Sequence, residues 1–235
     1  MPRESDAADR LNSSWDDNAQ AWTTTVRESG IESRRVATDR AIVDAVLQRK
    51  PARVLDVGCG EGWLCRALRQ HGVMCTGVDG SSDLIEAARS ADPDGMYHLL
   101  RYEDSDRLAV VVEAASIDVA VCNFALLHED VQPVLKAVRA LLRPGGALLI
   151  QTVHPWTASE GYDYADGWRT EDFAWSECRF PRAMPWYFRT LEAWVSTIRE
   201  AGFVLDHVTE PAHPQNKTPL SLLLSTVRPA IQRAS

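Results

Sequence analysis

The chain has 235 residues, 45% hydrophobic and 25% charged, room at roughly 150 residues per domain for one large domain or one with an inserted subdomain. No apolar run approaches the roughly 18 residues of a membrane helix, and residues 1–9 are polar and charged, so neither a membrane span nor a secretory signal is expected. The formal net charge is −8 and Lys50, Lys136 and Lys217 are the only lysines, so a surface tracking a phosphate backbone is not expected and a small molecule is the default partner.

A polar segment with two tryptophans around 12–22 reads as a short helix ahead of a sheet. Amphipathic stretches at about 34–49, 62–71, 83–90 and 130–142 then alternate with the short apolar runs 54–57, 74–78, 117–122 and 147–151. Near-continuous apolar character is what a parallel strand buried on both faces requires. Leu142-Arg143-Pro144-Gly145-Gly146 stops the fourth helix and turns the chain into a strand. The alternation predicts a doubly wound α/β sheet. The stretch 154–194 breaks the rhythm. It holds five of the eight tryptophans (Trp156, Trp168, Trp175, Trp186, Trp194), interrupted by Pro155, Pro181 and Pro185, with no regular period. A helix over 191–201 closed by Gly202 follows, then strands over 203–208 and 220–227. The five cysteines (Cys59, Cys65, Cys75, Cys122, Cys178) are odd in number and form no CxxC pair. They read as reduced thiols of a cytoplasmic protein, and no metal is expected.

The chemistry is carried by Asp56-Val57-Gly58-Cys59-Gly60-Glu61-Gly62-Trp63, a buried strand entering a glycine-rich turn and then a helix. Glycines let a ligand approach the backbone, and a helix start presents N–H groups. Trp63 stands where the dinucleotide fingerprint needs a third glycine, and no GK[ST] follows. Asp79, 19 positions beyond Gly60, ends the second run, where a carboxylate can accept both hydroxyls of a ribose.

These residues, with Gly77-Val78-Asp79, Asp118-Val119-Ala120-Val121-Cys122-Asn123 and Leu142-Arg143-Pro144-Gly145-Gly146, resemble the four signature blocks of class I S-adenosylmethionine-dependent methyltransferases, in their order and spacing over about 34–152. A His-Pro-Trp after the fifth strand and an aromatic-Phe-Arg-Thr-Leu stretch resemble the uncharacterised bacterial small-molecule branch. The resemblance implies a seven-stranded Rossmann-like sheet of order 3-2-1-4-5-7-6 with the seventh strand antiparallel, in a domain over 34-235. It also implies an N-terminal segment 1-33 that covers the cofactor, while the aromatics of 154-189 themselves suggest an acceptor-side cap.

Carried over residue by residue, the resemblance assigns Gly58, Cys59 and Gly60 to backbone contact with the methionine and ribose of S-adenosylmethionine. Asp56 resembles the acid that orients the loop and, through water, the cofactor's amino group. Asp79 resembles the ribose acid, with Gly80-Ser81 beside the adenine. Tyr102-Glu103 fall where the family packs the adenine ring and binds its amino group, with Asp104 the rival acid. Asn123, Phe124 and Ala125 line the place where donor meets acceptor. His154, Tyr187 and Arg189 are the candidate catalytic residues, His154 from its place after the fifth strand. The alternatives for Tyr187 and Arg189 are places in a solvated helix cap. Trp15 and Trp22 either close over the cofactor or pack on the sheet, and the other aromatics divide between core and acceptor pocket. His128 is expected to be structural near a helix cap, and Asp118 to pair or cap.

The expected activity is in-line methyl transfer to a small-molecule acceptor, leaving S-adenosylhomocysteine, by a cytoplasmic monomer or homodimer with no nucleic acid or membrane partner. The alternatives are a nucleic-acid or protein methyltransferase, a non-catalytic S-adenosylmethionine-binding protein, or a nicotinamide oxidoreductase. Against the first, no Asn-Pro-Pro-aromatic block follows the fourth strand and no proline precedes Cys122.

Overall fold

A computed structural model describes residues 4–230; residues 1–3 and 231–235, the outer ends of the expected segment 1-33 and domain 34-235, lie outside the described residues. Alternate side chains of the first apolar run leave opposite faces of their strand, β1 (Arg53–Val57). Leu55 and Val57 enter one core layer and Val54 the other. Both faces must therefore be covered, and β1 is central. It pairs in parallel with β2 (Met74–Asp79) and β4 (Ile117–Asn123). Beyond β2 lies β3 (Met96–Leu99), and beyond β4 lies β5 (Leu142–Val153), both parallel.

Two further strands complete the sheet, β8 (Val204–Thr209) at the edge and β9 (Ser221–Val227) antiparallel to both β5 and β8. The order is β3-β2-β1-β4-β5-β9-β8. Counting only this sheet's strands, that is the expected 3-2-1-4-5-7-6 with the seventh antiparallel. Helices α2 (Asp39–Gln48), α3 (Trp63–Arg69) and α4 (Ser82–Ala91) cover one face, with Ile42, Val46, Leu64, Leu68 and Ile85 almost fully buried. The short α5 (Leu108–Val111), α6 (Gln132–Leu141) and α8 (Leu191–Glu200) cover the other. Strands and helices fall within a few residues of their predicted places. Asp118 pairs structurally: it accepts from the N–H groups of Ala52 and Arg53 and meets Arg143 at 2.6 Å.

Two regions differ from expectation. The N-terminal helix is not short: α1 runs Glu4–Arg27 over 24 residues. Its buried face is Ala7, Leu11, Ser14, Asn18, Ala19 and Thr25, a stripe of helical spacing in which Ser14, Asn18 and Thr25 are polar. Their polarity hides the stripe from a hydropathy reading. The aromatic stretch is also more ordered than its lack of period suggested. After the short α7 (Pro155–Ala158) it forms an antiparallel hairpin, β6 (Gly167–Glu171) with β7 (Met184–Phe188). Helix and hairpin build a third core of Leu11, Phe173 and Met184 with Trp15, Trp22 and Phe180 packed against it. Asn18 ties them together, donating to the Arg182 carbonyl at 2.8 Å and accepting from its N–H at 3.0 Å.

The energetic weight lies in the parallel strands. Leu148, fully buried in β5, is expected on truncation to alanine to cost about 2–5 kcal/mol and lower Tm by roughly 5–15 °C in a domain of this size. Val208→Ala, on the exposed edge strand, should leave Tm within about 2 °C of wild type. Thermal unfolding followed by circular dichroism checks both, and equal losses would contradict this division of the core.

Candidate functional site

The carboxyl ends of β1, β2 and β4 open onto a cavity of about 620 Å³, inside the ~300–1,000 Å³ usual for ligand pockets. Its floor is the turn after β1. Gly58 has φ of +77° and sits where a Cβ would lie 2.4 Å from the Ala125 side chain, so only glycine fits. Gly60 differs: a Cβ there would meet nothing within 4 Å, because this face opens to the cavity. Four of the turn's N–H groups are consumed internally. Gly58 and Cys59 donate to the Val78 carbonyl, Gly62 to the Cys59 carbonyl and Gly60 to Asp79 Oδ2 at 2.8 Å. What the turn offers a ligand is a surface free of side chains at Gly58 and Gly60, not the cluster of free N–H groups that its sequence suggested.

Asp79 stands at the rim. Its Oδ1 accepts from the Ser81 N–H at 2.9 Å, so each carboxylate oxygen keeps acceptor capacity after its one loop hydrogen bond. Burial raises its pKa, against the lowering effect of those N–H groups. Gly80, Ser81, Tyr102, Glu103, Asn123, Phe124 and Ala125 also line the cavity, as do Cys59 and Gly60. Tyr102 Oη donates to the Ala125 carbonyl at 3.0 Å, which joins the turn after β3 to the loop after β4. That loop is tightly set: Phe124 has φ of +53°, a conformation few non-glycine residues take, and its N–H donates to the Gln151 carbonyl at 2.7 Å. Gln151 also donates to Asn123 Oδ1 at 2.8 Å, leaving the Asn123 NH₂ for other partners.

Asp56 does not reach the cavity. It is buried behind the turn beside Cys65, and its Oδ1 has no hydrogen-bond partner. Burial, and then the nearby charge of Asp79, push its pKa up to about 7.

The roof comes from the N-terminal helix and the hairpin. Asn12, Trp15, Trp22 and Val26 of α1, the segment 30–34, and Glu171, Trp175, Met184 and Trp186 all face inward. Trp15, Trp22, Trp175 and Trp186 stood out in the sequence as aromatics; the other lining residues did not, because helical spacing and hairpin register select them. Strand alternation decides β7. Met184 and Trp186 line the cavity, while Tyr187 points the other way and packs edge-on against Trp168 at 5.6 Å. The three candidate catalytic residues therefore stand elsewhere. His154 caps α7 and turns its Nε2 to Glu210 at 2.7 Å. Arg189 is buried and donates to the carbonyls of Leu126, His128 and Glu129, stacking on Tyr187 and Trp194 at 5.0 Å each, so its guanidinium shapes the loop after β4. In their place the cavity presents His128 as its imidazole.

Charge is uneven along the cavity. Arg34 and Arg101 are the arginines lining it among the described residues. Arg34 lies over the Trp63 ring at 4.5 Å and pairs with Asp39, and Arg101 meets Asp16 at 3.5 Å. The end under the hairpin carries tryptophans and Glu171, whose Oε1 accepts from the Phe173 N–H. No group of three His, Cys, Asp or Glu among the described residues could hold a metal ion.

The sequence profile of a methyltransferase-domain family matches residues 32–208. The ubiquinone biosynthesis O-methyltransferase of Coxiella burnetii is 34% identical over 113 residues, 48% of this chain and 48% of that protein. That of Xanthomonas axonopodis pv. citri is 34% identical over 114 residues, 48% and 47% of the two. The chain spans about half the length of the curated relatives it matches. Among solved structures, the 1,6-didemethyltoxoflavin-N1-methyltransferase of Burkholderia thailandensis, with 1,6-didemethyltoxoflavin and S-adenosylhomocysteine bound, superposes with a TM-score of 0.65 at 20% identity over 97% of this chain and 92% of its own. An S-adenosylmethionine-dependent methyltransferase from Mesorhizobium loti gives 0.61 at 24% identity over 80% and 96%. At these identities the structures establish the shared fold. The chain belongs to the methyltransferase-domain family.

The Asp56 environment makes a testable pH signature in the ligand-free protein. Folded, the carboxyl stays protonated up to about pH 7; unfolded, it ionises near its ordinary 3.8. Between those values the native state binds the extra proton, so this group's contribution makes stability fall as pH rises through that window and level off above it. Asp56→Asn should flatten that slope and raise Tm at pH 8. An unchanged slope in pH-dependent denaturation would contradict the assignment.

Proposed function

We propose that this chain transfers the methyl group of S-adenosylmethionine to a small, flat, largely apolar acceptor that bears an O–H or N–H. The observation that carries the reading is one continuous cavity, with the glycine turn and Asp79 at one end and tryptophans at the other. The donor set fits this cofactor. Asp79 keeps acceptor capacity for two vicinal hydroxyls, Tyr102 and Leu84 supply apolar walls for a purine, and Arg34 offers its remaining N–H donors to a carboxylate. Trp63 stands where a dinucleotide fingerprint needs its third glycine, which disfavours a nicotinamide dinucleotide. The relatives named for ubiquinone biosynthesis and for didemethyltoxoflavin support a small-molecule acceptor.

When bound, S-adenosylmethionine supplies a methyl group already activated on sulfonium sulfur. The protein's part is to align the acceptor and exclude water. In this reading α1, within 1-33, covers the cofactor, the hairpin within 154-189 caps the acceptor, and Asn123, Phe124 and Ala125 stand where the two meet. Asp56 acts from behind the turn, by shaping it. Arg189 is a positioning residue, and His154 and Tyr187 support the cap from outside the cavity. An anionic acceptor is disfavoured, because the tryptophan end carries Glu171 and no arginine. A cytoplasmic monomer or homodimer agrees with this chemistry.

Asp79→Ala removes charge-assisted hydrogen bonds worth on the order of 2–3 kcal/mol, so S-adenosylhomocysteine should bind about 30–150-fold more weakly by titration calorimetry. Unchanged affinity would reject the cofactor assignment. With labelled S-adenosylmethionine, phenols and N–H heteroaromatics should be methylated in preference to aliphatic carboxylates, and the opposite order would reject the acceptor class.

A further inference from the structure

Gln151 shares its face of β5 with Leu149 and Val153, yet it is polar and fully buried. A buried amide is costly unless bonded, and both polar ends of this side chain are engaged. Its Nε2 donates to the Thr38 carbonyl at 3.0 Å and to Asn123 Oδ1 at 2.8 Å, and its Oε1 accepts from Ser221 Oγ at 3.4 Å. One of these partners fixes the rest. A backbone carbonyl only accepts, so the end of Gln151 that meets Thr38 is its NH₂. The same nitrogen gives its second hydrogen to Asn123, whose atom there must be the oxygen. Asn123 is left with its own NH₂ turned away from Gln151.

That NH₂ has no partner among the described residues, and it is not sealed from solvent as Asp56 Oδ1 is. Asn123 is half-buried, and the open space it lines is the cavity. The same network reaches Arg34. Thr38 ends a single π-helical turn, Arg34–Thr38, closed by the Asp39 N–H on the Arg34 carbonyl. Such turns are rare and recur at functional sites. Arg34, at the start of this one, also lines the cavity. Gln151 therefore clasps the turn that carries one cavity-lining donor and the strand end that carries another. A satisfied buried network of this kind rigidifies what it joins. The loop beyond Asn123 is held separately, by the Phe124 N–H on the main-chain carbonyl of Gln151, so a change of the Gln151 side chain spares that bond.

We propose that Gln151 is a positioning residue that locks the Asn123 amide with its NH₂ toward the cavity, so that this point of the wall donates a hydrogen bond to an oxygen of the bound ligand. The identity of that oxygen rests on the methyl-transfer reading above. Two oxygens have the right chemistry, the carboxylate of the methyl donor and the hydroxyl oxygen of the acceptor. Arg34 belongs to the same network, which favours the carboxylate, held by a guanidinium and an amide together. A reversed amide would present its oxygen instead, and would hold an N–H or ammonium group at this point. The polarity of the wall is therefore decided by a residue that does not itself line the cavity.

Side-chain amide spectra of the ligand-free protein test the orientation directly, with Asn123→Asp and Gln151→Met assigning the two signals. The Gln151 NH₂ should exchange slowly with water and the Asn123 NH₂ rapidly; equal or reversed rates overturn the proposal. Titration calorimetry then reads the polarity. Asn123→Asp keeps an oxygen for Gln151 but turns the cavity-facing donor into an acceptor. It should weaken S-adenosylhomocysteine about 10-fold or more, and leave 5′-methylthioadenosine, which lacks the carboxylate, little changed. Gln151→Met frees Asn123 to take both orientations and should cost S-adenosylhomocysteine only about 2-fold. Gln151→Glu has at most one hydrogen to give, which the Thr38 carbonyl takes, so Asn123 turns its NH₂ inward and the loss should approach that of Asn123→Asp. A merely structural role would lower Tm and leave the ratio of the two affinities in place. If that ratio holds in Asn123→Asp while a phenol titrated into the S-adenosylhomocysteine complex binds about 10-fold more weakly, the oxygen is the acceptor's. If neither moves, the proposal is overturned. Failure of wild type to bind S-adenosylhomocysteine would instead reject the methyl-transfer reading, leaving the amide orientation to stand on the spectra.

Discussion

A single buried carboxylate governs how the cavity is closed. Glu61, in the turn after β1, has a side chain only 2% exposed, yet it is charged and flanked by two arginines. Arg66 of α3 meets both of its oxygens at 2.7 Å, and Arg27, the last residue of α1, meets Oε2 at 2.8 Å. A buried ion pair returns little net stability, because desolvation offsets most of the attraction. Removing one partner is costly, however, because it strands the others. The consequence is geometric: α1 must end beside the turn that floors the cavity, where Arg27 also donates to the Ala87 carbonyl. The first helix is thereby fixed to the sheet's ligand-facing edge, although no strand pairing requires it there.

Along its length α1 meets three separate parts of the chain. Arg27 holds the turn after β1, Asn18 holds the hairpin's connecting loop, and Asn12 holds Glu103 and His128. The contacts at Asn18 and Asn12 are polar and satisfied, so the helix is oriented as well as buried. Between them Trp15 and Trp22 bring apolar area, Trp22 meeting Phe173 and Phe180 edge-on at 5.5 and 5.0 Å. The cap is thus a small core laid over the end of a large one, and the cavity is the seam between them. Ligand sites in open α/β sheets occur at this place, outside the carboxyl ends of the strands.

The acids of the site divide by environment. Asp79 is anchored by N–H groups and faces the cavity, whereas Asp56, one turn behind it, is enclosed with thiols and left short of partners. A pair of carboxylates so close cannot easily both carry charge. The arrangement favours charge on the one that ligands can reach. Loop geometry supports the same division, because the hydrogen bonds from Gly60 and Ser81 to Asp79 hold the carboxylate against the turn.

Much of this was legible in the residues alone. Buried parallel strands announce themselves as apolar runs, Gly58 and Gly60 as a turn that must admit a close neighbour, and Asp79 as an acid at a strand end. Together these specified a doubly wound α/β sheet and most of the cavity's floor, while the strand order came from the resemblance to the methyltransferase family. The roof was not legible. The buried stripe of α1 includes Ser14 and Asn18, which a hydropathy pattern assigns to solvent, and the alternation of β7 turns Trp186 inward and Tyr187 away. Arg189 and His154 look like free functional groups in a sequence, but only folding reveals that carbonyls and a carboxylate already engage them. The bond that ties His128 to Asn12 joins residues 116 positions apart. Local patterns determined the main strands and helices because strand and helix periodicity is written in neighbouring residues; the tertiary structure alone decided the site's polar partners, because hydrogen bonds between distant segments leave no local pattern to read.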